Sequence, residues 1–147
     1  MIKLKHKVDF SIHVRATPEK VYDAMTTAHG LDGWFTQGAE VQAEPGGMIQ
    51  FRWKDWGPES YTGQNGGSVL EAQRPERFVF CWTADSGRYD TTVEIDFTPH
   101  EKGTLVHLIE YDYEDSPDGM QDLLNRVSGW AHVLTLMKFY VEHGLKY

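Results

Sequence analysis

The chain has 147 residues and a formal net charge of −8, which is one domain's worth of sequence with enough length for one sizeable core. That acidic balance argues against nucleic acid or an anionic membrane as partner, since both reward a basic face. A single cysteine, Cys81, excludes an internal disulfide and a thiolate metal cage.

In chain order, Met1 to Phe10 alternates lysines with apolar residues and has no apolar core of the secretory kind. Neither a signal peptide nor a membrane span is expected there, and the expected location is the cytoplasm. Val8, Phe10, Ile12 and Val14 alternate with polar residues, as in a half-buried strand. Thr17-Pro18 then opens a helix, with Thr17 as cap, Pro18 in the first turn, and Val21, Ala24 and Met25 as inner face. Gly30 and Gly33 bound a second short helical turn carrying Leu31, Trp34 and Phe35.

After Gly38 the pattern changes to period two. Val41 and Ala43 mark a strand, Pro45-Gly46-Gly47 a tight turn, and Ile49, Phe51 and Trp53 the next strand. From Trp56 to Gly67 the chain is rich in Gly, Ser, Asn and Pro and reads as a loop, with a short strand near Tyr61. Strands return at Val69 to Ala72, at Phe78, Phe80 and Trp82, at Val93, Ile95 and Phe97, and at Thr104 to Tyr113. Within the run Phe78 to Trp82, Cys81 is expected to be a buried, inert thiol. Hydrophobicity alone does not give the phase of the last strand, because both its faces carry large side chains.

Ser116 to Tyr147 holds the longest periodic segment. Met120, Leu123, Val127, Trp130, Leu134, Met137 and Val141 recur in steps of three and four, drawing a stripe down a helix of about 40 Å. Asp115-Ser116-Pro117 is its start signal, and Asp118 and Asp122 place negative charge at the positive end of its dipole. Flanking apolar residues (Leu124, Ala131, Val133, Leu136, Phe139, Tyr140) broaden the stripe, so the helix is expected to be covered on more than one side. Six or seven strands joined mostly by hairpin-length turns imply an antiparallel sheet. The expected fold is α+β: one domain, residues 1–147, with a curved sheet wrapped around the long C-terminal helix and two short helices after the first strand. Such an arrangement can leave a ligand cavity between helix and sheet.

Several stretches together resemble a known group: Thr17 to Ala24, Leu31-Asp32-Gly33-Trp34-Phe35-Thr36, Pro45-Gly46-Gly47, Ser68 to Glu71, Arg74 to Arg77, Trp82, Gly103-Thr104 and Gly129-Trp130. They resemble the SRPBCC (START-like, helix-grip) superfamily, and within it the branch named for activation of the ATPase of the ninety-kilodalton heat-shock protein. The resemblance covers essentially the whole chain and implies the helix-grip fold. It leaves function open, because lipid carriers, cyclases, receptors and co-chaperone domains share that fold. The Trp56 to Gly67 stretch and the acidic run Glu110 to Asp115 depart from the family pattern, and both are expected near the cavity mouth.

Trp34, Phe51, Trp53, Phe80, Trp82 and Trp130, with Leu134 and Met137 of the helix stripe, are the candidates for facing an enclosed space. Ordinary core packing is the alternative for all of them. Trp56 and Tyr61 are candidates for a lid. The family pattern implies that Thr104, Val106, Leu108 and Glu110 point inward and that His107 points out. An inward Glu110 would have a raised pKa and could donate or accept a proton; a hydrated carboxylate at the strand end is the alternative. Seven histidines contain no metal-ligand spacing, and Gly63, Gly66 and Gly67 make no phosphate loop, so neither metal nor cofactor is expected. The leading expectation is a binding protein for a small hydrophobic or aromatic ligand. A cyclase- or hydrolase-like enzyme using Glu110, or a chaperone ATPase regulator, are the alternatives, with a monomer or homodimer as the assembly.

Overall fold

The computed structural model describes residues 1–147. In chain order it contains β1 (Val8–Val14), α1 (Pro18–Thr26), α2 (Ala28–Trp34), β2 (Glu40–Val41), β3 (Met48–Trp56), β4 (Tyr61–Gln73), β5 (Arg77–Thr83), β6 (Asp90–His100), β7 (Gly103–Tyr111) and α3 (Pro117–His143). The seven strands form one antiparallel sheet in the order β1-β7-β6-β5-β4-β3-β2. The sheet curves around α3, giving the helix-grip arrangement. Register shifts fall between Trp53 and Trp56 on β3 and between Val69 and Glu71 on β4, where an extra residue locally increases twist.

The helix boundaries follow their capping chemistry. The Thr17 side chain accepts from the Lys20 amide and the Ser116 side chain from the Gly119 amide, each followed by a proline in the first turn. Gly144, at φ +70°, ends α3 in the left-handed region that favours glycine, and its amide donates to the Tyr140 carbonyl at 2.7 Å.

Four local expectations are corrected. The stretch from Trp56 to Gly67 is not a loop: after a short turn, β4 runs for 13 residues from Tyr61. Ladder hydrogen bonds need no apolar pattern, and here glycine suits the packing. Trp53 lies opposite Gly63, and a Cβ on Gly67 would collide with the Cys81 carbonyl oxygen. Ala43 falls outside the two-residue β2 and is exposed. Cys81 is only partly buried, because strand alternation turns it away from the face that buries Phe80 and Trp82. Finally, part of the broadened stripe stays uncovered: α3 packs against β1, α1 and α2, but Leu124 and Phe139 are about half exposed (54% and 47%).

The main core lies between α3, α1, α2 and the inner sheet face, and includes Val8, Val14, Phe78, Ile95, Leu108, Met137 and Val141. Strand β7 buries Thr104, Val106, Leu108 and Glu110 in strict alternation, while His107 points outward to Asp9 at 2.8 Å. No helix is long and apolar enough to cross a membrane.

Candidate functional site

The C-terminal half of α3 packs against β1, α1 and α2. Its N-terminal half stands off β3, β4 and β5, leaving a cleft of about 650 Å³ that is partly open to solvent. That size is within the range of small-molecule sites. One wall is aromatic: Phe35, Trp53, Trp56 and Tyr61 line it, with ring centroids 5.4 Å apart for Phe35–Trp53 and 5.8 Å apart for both Phe35–Trp56 and Trp53–Tyr61. The facing wall is the helix surface from Asn125 to Val133, where Gly129 leaves open space.

The floor is a polar network beneath Trp82 and Trp130, two more lining side chains. At its centre is Glu110, fully buried at 0% exposure. Its Oε2 accepts from Trp82 Nε1 at 2.8 Å, from Thr91 Oγ1 at 2.5 Å and from the Arg126 guanidinium, while Oε1 accepts from Trp130 Nε1 at 2.9 Å. Indole and guanidinium groups only donate, so this geometry uses the carboxylate as an acceptor. It brings together four elements: β5, β6, β7 and α3.

Arg126 has three further roles. Its Nε donates to Asp85 Oδ1 at 3.1 Å, its Nη2 donates to the Thr83 carbonyl at 2.7 Å, and its guanidinium lies 4.4 Å from the centre of the Trp82 ring. Burial opposes its charge, but Glu110 first and Asp85 next outweigh that effect and raise its pKa above the ordinary arginine value. Nearby, the Tyr113 hydroxyl is buried without a hydrogen bond. Burial, and after it the charge of Glu110, pushes that phenol up.

A second carboxylate holds the cleft wall in place. Asp122, on α3, accepts from the Ser86 amide at 3.0 Å, the Ser86 hydroxyl at 2.8 Å and the Tyr89 hydroxyl at 2.8 Å. These bonds tie the β5–β6 turn, which carries Asp85, to the helix. Burial and then the Asp122 bond raise the Tyr89 phenol to about 12.

Of the residues singled out from sequence, Trp53, Trp82 and Trp130 line the cleft, and Trp56 and Tyr61 lie at its mouth. Trp56 also packs against His132 and Tyr147, with centroids 6.0 and 5.2 Å away, and its buried Nε1 has no hydrogen-bond partner. Glu110 sits under the floor. Trp34, Phe51, Phe80, Leu134 and Met137 do not line the cleft and are packed into the core. The Trp34 indole donates to the Ala24 carbonyl at 2.9 Å, and Phe51 lies among Phe35, Trp53, Phe80 and Trp82.

Arg126, Asp85, Asp122 and Asn65 were missed from sequence. Arg126 had a visible signal: it lies three residues after Leu123 and four before Trp130, on the buried stripe itself. Asn65 had none, because it sits in the strand read as a loop; its side chain donates to the Thr83 carbonyl at 2.8 Å and accepts from the Thr83 amide at 3.1 Å. No cluster of histidine, cysteine and carboxylate side chains has metal-binding geometry.

A curved antiparallel sheet, a long helix laid across it and an aromatic cleft between them define a helix-grip domain of the SRPBCC superfamily. The chain belongs to the family of Activator of Hsp90 ATPase homolog 1-like proteins, whose model matches residues 15–142. Among solved structures it is similar to the Aha1 dimer of Colwellia psychrerythraea, with a TM-score of 0.75 and 22% identity over 95% of this chain and 98% of that one. A protein of Rhodobacter sphaeroides matches with a TM-score of 0.72 and 25% identity, over 92% of this chain and 89% of the other. CalU16 of Micromonospora echinospora matches with a TM-score of 0.73 and 19% identity, over 94% and 77%. A search of the curated proteins finds no match.

Proposed function

We propose that this protein binds a small, largely apolar molecule in the cleft between α3 and strands β3 to β5. The observation that carries this reading is the juxtaposition of unfilled space with the buried Glu110 network. The four donors around Glu110 lock Trp82 and Trp130 in place, so the aromatic floor is organised before any guest arrives. Preorganised walls reduce the ordering cost of binding, and apolar burial contributes roughly 25 cal/mol per Å². The reading places the protein in the cytoplasm and needs neither cofactor nor metal.

Tryptophan emission tests this, since Trp53, Trp56, Trp82 and Trp130 all line the cleft. A library of hydrophobic and aromatic compounds should contain members that shift or quench it saturably. Gly129→Trp, which projects an indole into the open space, should lower their affinity at least about tenfold while the protein stays folded. A wild-type protein silent to the whole library, or binding untouched by Gly129→Trp, would remove the reading.

Family membership motivates a second reading, regulation of a chaperone ATPase, with a homodimer as its assembly by analogy with the Colwellia relative solved as a dimer. It predicts a changed ATPase rate at saturating protein and a dimer mass by light scattering. An unaltered rate counts against the first part, and a monomer mass against the second.

A further inference from the structure

The charges around the cleft constrain its occupant, an inference that rests on the cleft being a ligand site. With histidine neutral, Asp85 and Arg126 are the only lining side chains with full charge. Arg126 is poorly placed to receive an anion. Two carboxylates, those of Glu110 and Asp85, already share it, the Thr83 carbonyl takes Nη2, and one guanidinium face lies over Trp82. Two negative charges against one positive leave this group at net −1.

The excess charge is accessible at one place. Glu110 is sealed under the indoles, whereas the Asp85 side chain is 44% exposed. Its Oδ1 accepts from Arg126, and its Oδ2 accepts no hydrogen bond from the protein. Behind the same turn Asp122 adds a further negative charge, satisfied by hydroxyl and amide donors rather than by a cation. Lys54 and Lys146 line a separate depression on the far side of Trp56, not this cleft. Trp53, Trp56 and Tyr61 present aromatic rings on the opposite wall, and ring faces attract cations. The Trp82 ring already does so for Arg126.

We propose that the cleft selects organic cations, a protonated amine or quaternary ammonium on an apolar body, over carboxylates of the same shape. The apolar body fills the space between Trp53 and Trp130, and the cationic group is held between Asp85 and the aromatic wall.

Three probes with one ring system test this on the intact protein by calorimetry: tryptamine, tryptophol and indoleacetate. Tryptamine should bind tightest and indoleacetate weakest, about tenfold apart. Added salt should weaken tryptamine more than tryptophol. Asp85→Asn should bring tryptamine down to the affinity of tryptophol and leave tryptophol itself little changed, whereas Asp85→Glu should keep the preference. Circular dichroism and a melting curve on each variant verify its fold. Indoleacetate binding as tightly as tryptamine, or an order of affinities unaltered in Asp85→Asn, overturns the charge selection while the cleft remains a binding site. No heat from any of the three, neutral tryptophol included, overturns this proposal, while the reading beneath it stands or falls separately on the library screen by tryptophan emission.

Discussion

The two halves of α3 face the same sheet and are held to it by different means. Toward its C-terminus, Leu134, Met137 and Val141 fill the space against β1, α1 and α2, each at most 4% exposed. Toward its N-terminus the buried positions are Gly119, Asp122, Leu123 and Arg126, and charge-assisted bonds to Glu110, Asp85 and the β5–β6 turn largely replace packing. Close packing leaves no room for a guest. A few long side chains joined by directional bonds hold a helix at a distance and leave the intervening space unfilled. One end of the helix is therefore an anchor and the other a spacer.

The strongest way to break this comparison is to remove the spacer's centre. Glu110→Ala leaves Arg126 buried with half its counter-charge and two indole N–H groups without acceptors. The expected cost is about 3–5 kcal/mol in urea unfolding, the size seen when one member of a buried ion pair is deleted. Cleft binding should fall with it. Replacing both charges, with Glu110→Leu and Arg126→Met, should recover the part of that cost due to the uncompensated charge, because buried pairs exchange for apolar residues at little cost, while the two indole N–H groups stay without acceptors. Recovered stability without recovered binding would show that the network sets the shape of the cleft rather than the survival of the fold.

At the anchor the matching change is Met137→Ala. Met137 is fully buried, and truncation there should cost about 2–5 kcal/mol through lost burial and a residual cavity. Unlike the loss of Glu110, it should leave ligand affinity in the cleft nearly unchanged. A cleft that loosened when Met137 was cut would mean that the two halves act as one unit.

The same division explains what was legible beforehand. The anchor announces itself by period: Leu134, Met137 and Val141 recur at helical spacing, and all are buried. The inward phase of β7 came from family likeness, because hydrophobicity left it open. The spacer is written in charged residues that sequence reading assigns to solvent. Asp122 read as a dipole charge, and Arg126 goes unseen on a stripe that Val127 shares, because an arginine is expected outside unless its partners are known. Those partners, Glu110 and Asp85, lie on other elements. Strand β4 was hidden for a related reason. Gly63, Gly66 and Gly67 contribute no hydrophobic signal, although their missing side chains let the neighbouring strands and Trp53 come close.

A smaller effect sharpens the contrast at Gly129. It lies inside a helix on the open side, and a Cβ there would meet nothing within 4 Å. Gly129→Ala should therefore stabilise the protein by about 1 kcal/mol through helix propensity alone, with a higher melting temperature. Destabilisation would mean that the space facing the spacer is not open.

The smallest effect is electrostatic and belongs to the anchor. Glu142 Oε2 accepts from Lys138 Nζ at 2.6 Å and from the Arg15 amide at 2.8 Å, linking the end of α3 to the chain just beyond β1. Burial alone would raise this carboxyl, but the Lys138 bond, followed by the Arg15 amide, outweighs it, and its pKa lies below the ordinary value. A group whose pKa is lowered by folding binds protons more readily in the unfolded chain. Its contribution is therefore complete above the unfolded value, about 4.3 for glutamate, and is lost as pH falls through the folded value beneath it. Glu142→Gln cannot titrate, so the stability difference between wild type and variant should be constant near neutrality and shrink through that acid window. Urea unfolding of both proteins across the range provides the measurement, and the subtraction cancels every other carboxylate. Curves that stayed parallel into acid would mean that Glu142 is no better solvated by Lys138 and the Arg15 amide than by water, and that the anchor is held by its apolar contacts alone.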